Sequence, residues 1–279
     1  LPISSGAILR EVGATNKTHL RDYVSAINEN TGAILRVHQS NYRIVGFTEE
    51  PSIRELANIA REHNVPLIDD LGSGALIDLA KYGLEPEPLV RDSIEAGADV
   101  ACFSGDKLIG GPQSGIIVGK ADPVARIKKN PLARALRVGK LEVAAMEATL
   151  RLFLEPDRIE HTHPTYRMMS LGAAEIGERA LAAATALRGV AAEVSVIEGS
   201  SQVGSGSVPT ETLPTMLLRV KPSDISADAL ARKLRRHSPP IFARIQQDAL
   251  LFDFRTVQPG EEPIVTGALM EFLGRKEAC

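Results

Sequence analysis

Lys107 and Asp70 are the residues whose types and settings point most directly to chemistry. Lys107 follows an apolar run and stands among small residues, in FSGDKLIGGP at 103–112. Asp70 ends the apolar run VPLIDD at 65–70. Small residues leave room for a flat cofactor beside an amine, and a lysine in such a pocket can form a Schiff base. An acid at one strand end and a lysine at the next are what a pyridoxal 5'-phosphate (PLP) enzyme needs: the acid keeps the pyridine nitrogen protonated and the lysine carries the aldehyde.

Three other side chains lie where they could hold such a cofactor. Ser104, three residues before Lys107, could reach the phosphate together with backbone N–H groups of nearby glycines. His38 could stack on the ring and Asn41 could hydrogen-bond its phenolic oxygen, but a polar turn explains their segment equally well. Because neighbouring strand residues face opposite ways, only one of Asp69 and Asp70 can point at a given ligand.

Two basic residues and a histidine pair form weaker patterns. Arg134 and Arg137 are spaced i,i+3, which predicts one helix face and either an anion site or a solvated basic surface. On the pattern alone, the solvated surface is favoured. The segment HTH at 161–163 resembles a metal-binding pair, but no Cys, Asp or Glu constellation supports it, so we predict a loop and no metal site.

The elements around these residues predict an α/β protein with βαβ units, whose catalytic groups gather beyond the carboxyl ends of parallel strands. Strands are predicted at 33–38, 67–69, 99–103, 115–119, 193–197, 216–220 and 249–253. Helices are predicted at 18–30, 51–63, 88–96, 141–154, 166–187, 226–236 and 262–275. Pro156 to Pro164 breaks the pattern, which predicts a large domain at 1–155 and a connecting helix with a smaller α+β domain at 156–279.

Composition narrows the functional classes. The net charge of −3 excludes general polyanion binding by the whole chain. Two cysteines, Cys102 and Cys279, are too few for a disulfide framework and fit a cytoplasmic protein. We predict no membrane span and no signal peptide. The chain begins with Leu1, so we expect a fragment that lacks its N-terminal part.

Several segments together resemble the bacterial selenocysteine synthases, the L-seryl-tRNA(Sec) selenium transferases. The resemblance covers nearly the whole chain, and its most specific block is SGDKLIGGPQSG at 104–115. The other segments are EVGATNKTH at 11–19, VHQSNY at 37–42, DLGSG at 70–74, RALR at 134–137 and GSGS at 204–207.

The resemblance implies a fold type I PLP-dependent transferase with a mostly parallel sheet in the large domain. Lys107 then matches the Schiff-base lysine and Asp70 the acid at the pyridine nitrogen. Asp106 matches an acid thought to assist catalysis. Arg134 and Arg137 match a basic pair at the selenium donor's oxyanion.

The implied reaction converts L-seryl-tRNA(Sec) to L-selenocysteinyl-tRNA(Sec) with selenophosphate, by β-elimination to an aminoacrylyl intermediate. The resemblance also implies a homo-oligomer of dimers, and a helical tRNA-binding domain that would precede Leu1. Two alternatives stay open. One is a PLP-dependent lyase or ammonia-lyase acting on a small amino acid or amino-sugar acid, and the other is a non-catalytic PLP-fold scaffold.

Overall fold

The chain divides into two compact units in the computed structural model, which describes residues 5–40, 42, 44–204, 207–208 and 211–274. The first unit extends to Ile159 and includes the segment 204–211. The second consists of 160–203 and the chain from Thr212 onward. The predicted division at residue 155 into two functional domains stays a prediction.

The first unit contains a four-stranded sheet in the order β1-β2-β3-β4. The strands are β1 (Ile34–Val37), β2 (Leu67–Gly72), β3 (Val100–Ser104) and β4 (Gly115–Gly119). The first three are parallel, and β4 runs antiparallel to β3. The carboxyl ends of β1, β2 and β3 therefore meet at one edge of the sheet.

Among the described residues up to 155, the first unit has six α-helices and a 3₁₀ turn at Leu79–Tyr82. They are α1 (Leu20–Ala26), α2 (Ile53–Glu62), α3 (Val90–Ala96), α4 (Ala121–Lys129), α5 (Pro131–Leu136) and α6 (Lys140–Leu152). Ser52 caps α2 by accepting from the Glu55 N–H, and the Glu55 carboxylate accepts from the Ser52 N–H.

The helix predicted at 18–30 is shorter in the structure. It begins after His19, whose backbone N–H donates to the Asp22 carboxylate at 2.7 Å. It ends at Ala26 because the Asn28 side chain accepts from the Asn30 N–H at 2.9 Å and so closes a turn instead.

The two faces of the first sheet are covered unequally. Leu67 and Leu71 are fully buried, and Leu67 packs with Leu56 of α2 in an apolar cluster. On the other face, Val37 and Ile117 are 58% and 45% exposed. Alternate residues of β2 therefore enter different environments, which decides the roles of its two aspartates.

The second unit is built on an antiparallel four-stranded sheet in the order β5-β6-β8-β7. The strands are β5 (Ala192–Gln202), β6 (Thr212–Pro222), β7 (Arg244–Gln246) and β8 (Ala249–Asp253). A 3₁₀ turn (Pro156–Arg158) and the helix α7 (Ile159–Thr162) occupy the boundary, and α8 (Pro164–Ser170), α9 (Ala173–Ala186), α10 (Ala227–Arg236) and α11 (Glu262–Leu273) follow. Its core packs α9, α10 and α11 on the sheet, which gives an α+β unit.

Two predictions about the start of the second unit are wrong. The single helix predicted at 166–187 is two helices, because Leu171 is extended between α8 and α9. The predicted loop at 161–163 is helical at His161, and His163 is the N-cap of α8, where its ring accepts from the Thr165 N–H at 3.2 Å. Within the described residues, no helix combines the length and the apolar character that crossing a membrane requires.

Candidate active site

Lys107 lies in a tightly bonded connection between β3 and β4. The Gly105 N–H donates to the Ser114 carbonyl and the Gly111 N–H donates to the Gly105 carbonyl, both at 2.9 Å. Leu108 and Ile109, directly after the lysine, are 1% and 0% exposed and fix the connection to the core. Lys107 itself is half-buried, so its amine is held at the sheet edge rather than on a mobile surface loop.

Ser40 and Gly72 shape the space around this amine. The Lys107 Nζ donates to the Ser40 Oγ at 3.5 Å, and Ser40 is 7% exposed just beyond β1. Gly72 has a positive φ of 65°, and a Cβ there would lie 2.4 Å from the Ser40 Oγ and 4.0 Å from the Lys107 Nζ. Any side chain at 72 would therefore displace Ser40 and narrow the space beside the amine. Ser40 was not among the predicted site residues.

The adjacent aspartates of β2 have different partners. Asp69 is 0% exposed, and it accepts from the Arg36 Nη1 at 3.1 Å and from the Ser93 Oγ at 2.6 Å. Asp70 is half-buried on the opposite face, where its Oδ1 accepts from the Gly72 N–H at 3.3 Å. Asp69 is thus used inside the fold, and Asp70 keeps the capacity to accept from a ligand.

Cys102 of β3 is paired in register with Asp70. Burial raises the pKa of the Cys102 thiol to about 12, and the charge and hydrogen bond of Asp70 and the charge of Asp69 act in the same direction. The thiol is therefore neutral at physiological pH, and it donates to the Asp70 carboxylate. This contact gives the half-buried Asp70 carboxylate a hydrogen-bond donor from the neighbouring strand.

His38 follows β1 and is tied to β2 by its backbone N–H, which donates to the Asp70 carbonyl at 2.7 Å. Its Nε2 is buried, lies 3.5 Å from the Glu87 Oε2, and has no hydrogen-bond partner within the described part of the chain. Glu87 also accepts from the Ser73 Oγ at 2.6 Å. Glu87 and Ser73 were not predicted from the sequence.

The other predicted residues take different positions. Ser104 ends β3 half-buried at the same sheet edge, and Asp106 is exposed beside Lys107. Asn41 lies outside the described residues. Arg134 is exposed in α5, and Arg137, also exposed, is the C-cap residue of this helix, with φ −63° and an extended ψ of 142°. The chain leaves the helix only after Arg137, so the predicted shared face of the two arginines stays a prediction.

A family model described as SelA: L-seryl-tRNA selenium transferase matches residues 3–258. The match spans both units, including Lys107, Asp70 and the arginines. The chain belongs to the L-seryl-tRNA selenium transferase family.

Curated relatives in this family are closely similar over the whole chain. The L-seryl-tRNA(Sec) selenium transferase of Nitratidesulfovibrio vulgaris is 49% identical over 273 residues, covering 97% of this chain and 58% of that protein. The enzyme of that name from Desulfovibrio desulfuricans is 50% identical over 275 residues, covering 96% and 58%. The chain thus spans somewhat more than half the length of these selenium transferases.

The family assignment agrees with the fold. A solved structure of D-glucosaminate-6-phosphate ammonia-lyase matches with a TM-score of 0.56 at 23% identity, covering 96% of this chain and 64% of that chain. The chain has the α/β architecture of the fold type I PLP-dependent transferases.

The residues at this sheet edge fit PLP on three observations. Gly72 lets the Ser40 side chain approach closely beside the Lys107 amine, where a Cβ at residue 72 would clash with Ser40. Asp70 is a half-buried carboxylate on the open face of the sheet. His38 follows β1 at the same edge, and its Nε2 lies 3.5 Å from the Glu87 Oε2, so the faces of its ring remain free for a flat ligand. The amine and the imidazole follow parallel strands, and the acid lies two residues before the end of β2, near the carboxyl edge where ligands bind in such sheets.

Proposed function

We propose that the full-length protein carrying this chain converts L-seryl-tRNA(Sec) to L-selenocysteinyl-tRNA(Sec), with PLP as cofactor and selenophosphate as selenium donor. The observation that carries the proposal is the half-buried Lys107, whose amine contacts Ser40 beside Gly72, at the same sheet edge as the Asp70 carboxylate. Membership of the selenium transferase family supports the substrate and the donor.

Lys107 has two roles in this proposal. Its amine would hold the cofactor aldehyde, and as a free amine the same nitrogen would take the proton from the seryl α-carbon. Ser40 orients the amine through the contact at 3.5 Å. PLP, when bound, supplies an electron sink for the bonds at the α-carbon.

Asp70 holds a proton at the pyridine nitrogen. A half-buried carboxylate is stabilised by a cationic partner, and a protonated pyridine ring is one. His38 lies at the end of the neighbouring strand, where its ring could lie against the cofactor. Ser104 is proposed to contact the phosphate, Asn41 the phenolic oxygen, and Asp106 to assist proton transfer beside Lys107.

Arg134 and Arg137 are proposed to bind selenophosphate. Both are exposed, and in the part of the chain that the structure describes neither side chain has an internal hydrogen bond or ion pair. Guanidinium groups with unused N–H donors bind phosphate-like oxyanions in a bidentate way. Membership of the family supports the donor site over a merely solvated surface.

The partners are part of the same proposal. The names of the relatives include seryl-tRNA(Sec), and we assign its binding mainly to parts of the full-length protein outside this chain. We also propose a homo-oligomer of dimers and, from the two cysteines, action in the cytoplasm.

The deciding experiment is the visible absorption spectrum of the full-length protein before and after borohydride, with Lys107→Ala beside it. We expect a band that borohydride bleaches, a permanently attached cofactor on the peptide containing Lys107, and neither in the variant. Turnover of seryl-tRNA(Sec) should be lost in Lys107→Ala by at least about 10³-fold, since a covalent group is removed.

Lys221→Ala is the matched control, because Lys221 is an exposed lysine of the second unit. It should keep the band and the turnover. A wild-type protein without a band even after addition of PLP would overturn the cofactor assignment. A band with turnover of free serine but not of seryl-tRNA(Sec) would instead overturn the substrate.

A further inference from the structure

Glu87 is a largely buried acid beneath the candidate active site, on the loop between the 3₁₀ turn and α3. Its side chain is 10% exposed, and one oxygen, Oε2, lies 2.6 Å from the Ser73 Oγ and 3.5 Å from the His38 Nε2. The acid therefore links the residue after β1 to a residue just after β2. Its place in the sequence predicts neither contact.

The loop that carries Glu87 is fixed on the side of α3. Leu89 forms a parallel bridge with Ala75, and the Val90 N–H donates to the Ala75 carbonyl at 3.1 Å. Ser73, the hydrogen-bond donor, is 0% exposed. The Glu87 carboxylate is thus held by its fixed loop and by the buried Ser73 hydroxyl, so it can fix the position of the His38 ring.

The charges around Glu87 favour its ionised form. Burial acts to raise the pKa of the carboxyl, but the contacts with His38 and Ser73 and the charges of His38 and Lys107 outweigh it, and the pKa is lowered. An ionised acid directly behind an imidazole nitrogen holds the ring by one edge and leaves its faces free.

We propose that Glu87 is a positioning residue that holds the His38 ring in place for the cofactor. This inference rests on the proposed function, because it gives His38 a cofactor ring to contact. The Oε2 would act as acceptor for a proton on the His38 Nε2 once the ring is in its working position. Ser73 holds that oxygen in place, Glu87 in turn holds the His38 ring, and the His38 ring contacts the cofactor.

The alternative is that Glu87 only ties its loop to Ser73. A double-mutant cycle separates the two, because a residue that acts through His38 loses its effect when His38 is replaced. The variants are Glu87→Gln, His38→Asn and the double variant in the full-length protein. Glu85→Gln, an exposed acid on the same loop, is the matched control.

The readouts are the PLP dissociation constant and the position of the visible band, both measured without substrate. We expect Glu87→Gln to weaken PLP binding about tenfold and to shift the band, and to have no further effect in the His38→Asn background. Glu85→Gln should bind PLP as the wild type does.

Two results would overturn the inference while leaving the proposed function intact. One is wild-type PLP affinity and an unshifted band in Glu87→Gln. The other is an equal loss in the His38→Asn background, which would make the role of Glu87 independent of His38. If the wild type itself shows no bleachable band, the proposed function fails and this inference fails with it.

Ser73→Ala covers the case in which Glu87→Gln does not fold. It removes the hydrogen bond at 2.6 Å and keeps the charge of Glu87. We expect a smaller loss of PLP affinity, again absent in the His38→Asn background. A loss that persists there would equally contradict the inference.

Discussion

Each of the two units holds a cluster of partly or fully buried charged side chains. The cluster of the second unit has most of its hydrogen-bonding groups paired within the chain, and the cluster of the first unit has fewer. In the second unit Arg255 is 5% exposed, and all three of its guanidinium nitrogens donate at 2.7–2.8 Å. The acceptors are the Ser201 Oγ and the carbonyls of Met168, Leu171 and Pro214. Asp253 beside it accepts from the Ser201 Oγ at 2.6 Å and the Thr215 Oγ1 at 2.9 Å.

The cluster of the first unit is bonded less completely. The Lys107 amine has one long contact of 3.5 Å, Asp70 accepts from a backbone N–H and a thiol, and the His38 Nε2 is buried without a hydrogen bond among the described residues. Buried polar groups are nearly always paired, so unused capacity needs an explanation. For Lys107 and Asp70 a bound ligand is that explanation, whereas the Arg255 cluster needs no ligand to complete the hydrogen bonds of its guanidinium group.

The largest effect is expected from replacing Asp70, and the same change at its neighbour Asp69 should have a different consequence. Asp70→Asn should lower turnover of seryl-tRNA(Sec) by roughly 10²–10⁴-fold, the range of a positioned proton-holding group. Asp69→Asn should instead cost about 3 kcal/mol of unfolding free energy, because it weakens a buried pair with Arg36. Steady-state kinetics and urea unfolding of both variants measure this. Equal losses of activity in the two would contradict the assignment of Asp70 to the ligand and Asp69 to the fold.

The next largest effect is expected in the Arg255 cluster of the second unit. Arg255→Met should lower the unfolding free energy by about 3–5 kcal/mol, since it leaves the Ser201 Oγ and three backbone carbonyls without their donor and removes the positive charge beside Asp253. The visible cofactor band at low urea should be unchanged. Arg244→Met is the control, because Arg244 is exposed and makes a single hydrogen bond, at 3.2 Å, to the Ser200 carbonyl. A loss of the band before unfolding in Arg255→Met would mean that this cluster also serves a ligand.

The fold was predictable where the pattern is local. Apolar runs and strand-end glycines predicted β1 to β4 as well as β5, β6 and β8, although β5 and β6 are much longer than predicted. The break between α8 and α9 was missed because Arg255 donates to the Leu171 carbonyl from 84 residues away. The strand β7 was missed because all three of its residues are exposed and give no apolar alternation.

The candidate site was predictable at the strand ends and not beyond them. Four of the predicted residues each follow or end an apolar run, so the local sequence predicts their position: Lys107, Asp70, His38 and Ser104. Ser40 stands in the same segment as His38, and its place two residues beyond a strand end was an available signal. Glu87 has no local signal, since its importance comes from contacts with two strand ends that only the folded sheet brings together.

The smallest effect is expected from replacing Arg134. It tests whether an exposed guanidinium without internal hydrogen bonds binds a ligand, as we propose for Lys107 and Asp70 at the sheet edge. Arg134→Ala should raise the KM for selenophosphate by roughly 10–100-fold, because hydrogen bonds to a charged group contribute about 1.5–3 kcal/mol. The rate at saturating donor should change little, since binding rather than proton transfer is affected. Arg126→Ala, an exposed arginine of α4, is the control and should leave the donor KM unchanged. An unchanged donor KM in Arg134→Ala would mean that Arg134 is a solvated surface residue and does not bind the donor. Unpaired hydrogen-bond donors would then indicate a ligand site in this chain only where they are also shielded from water.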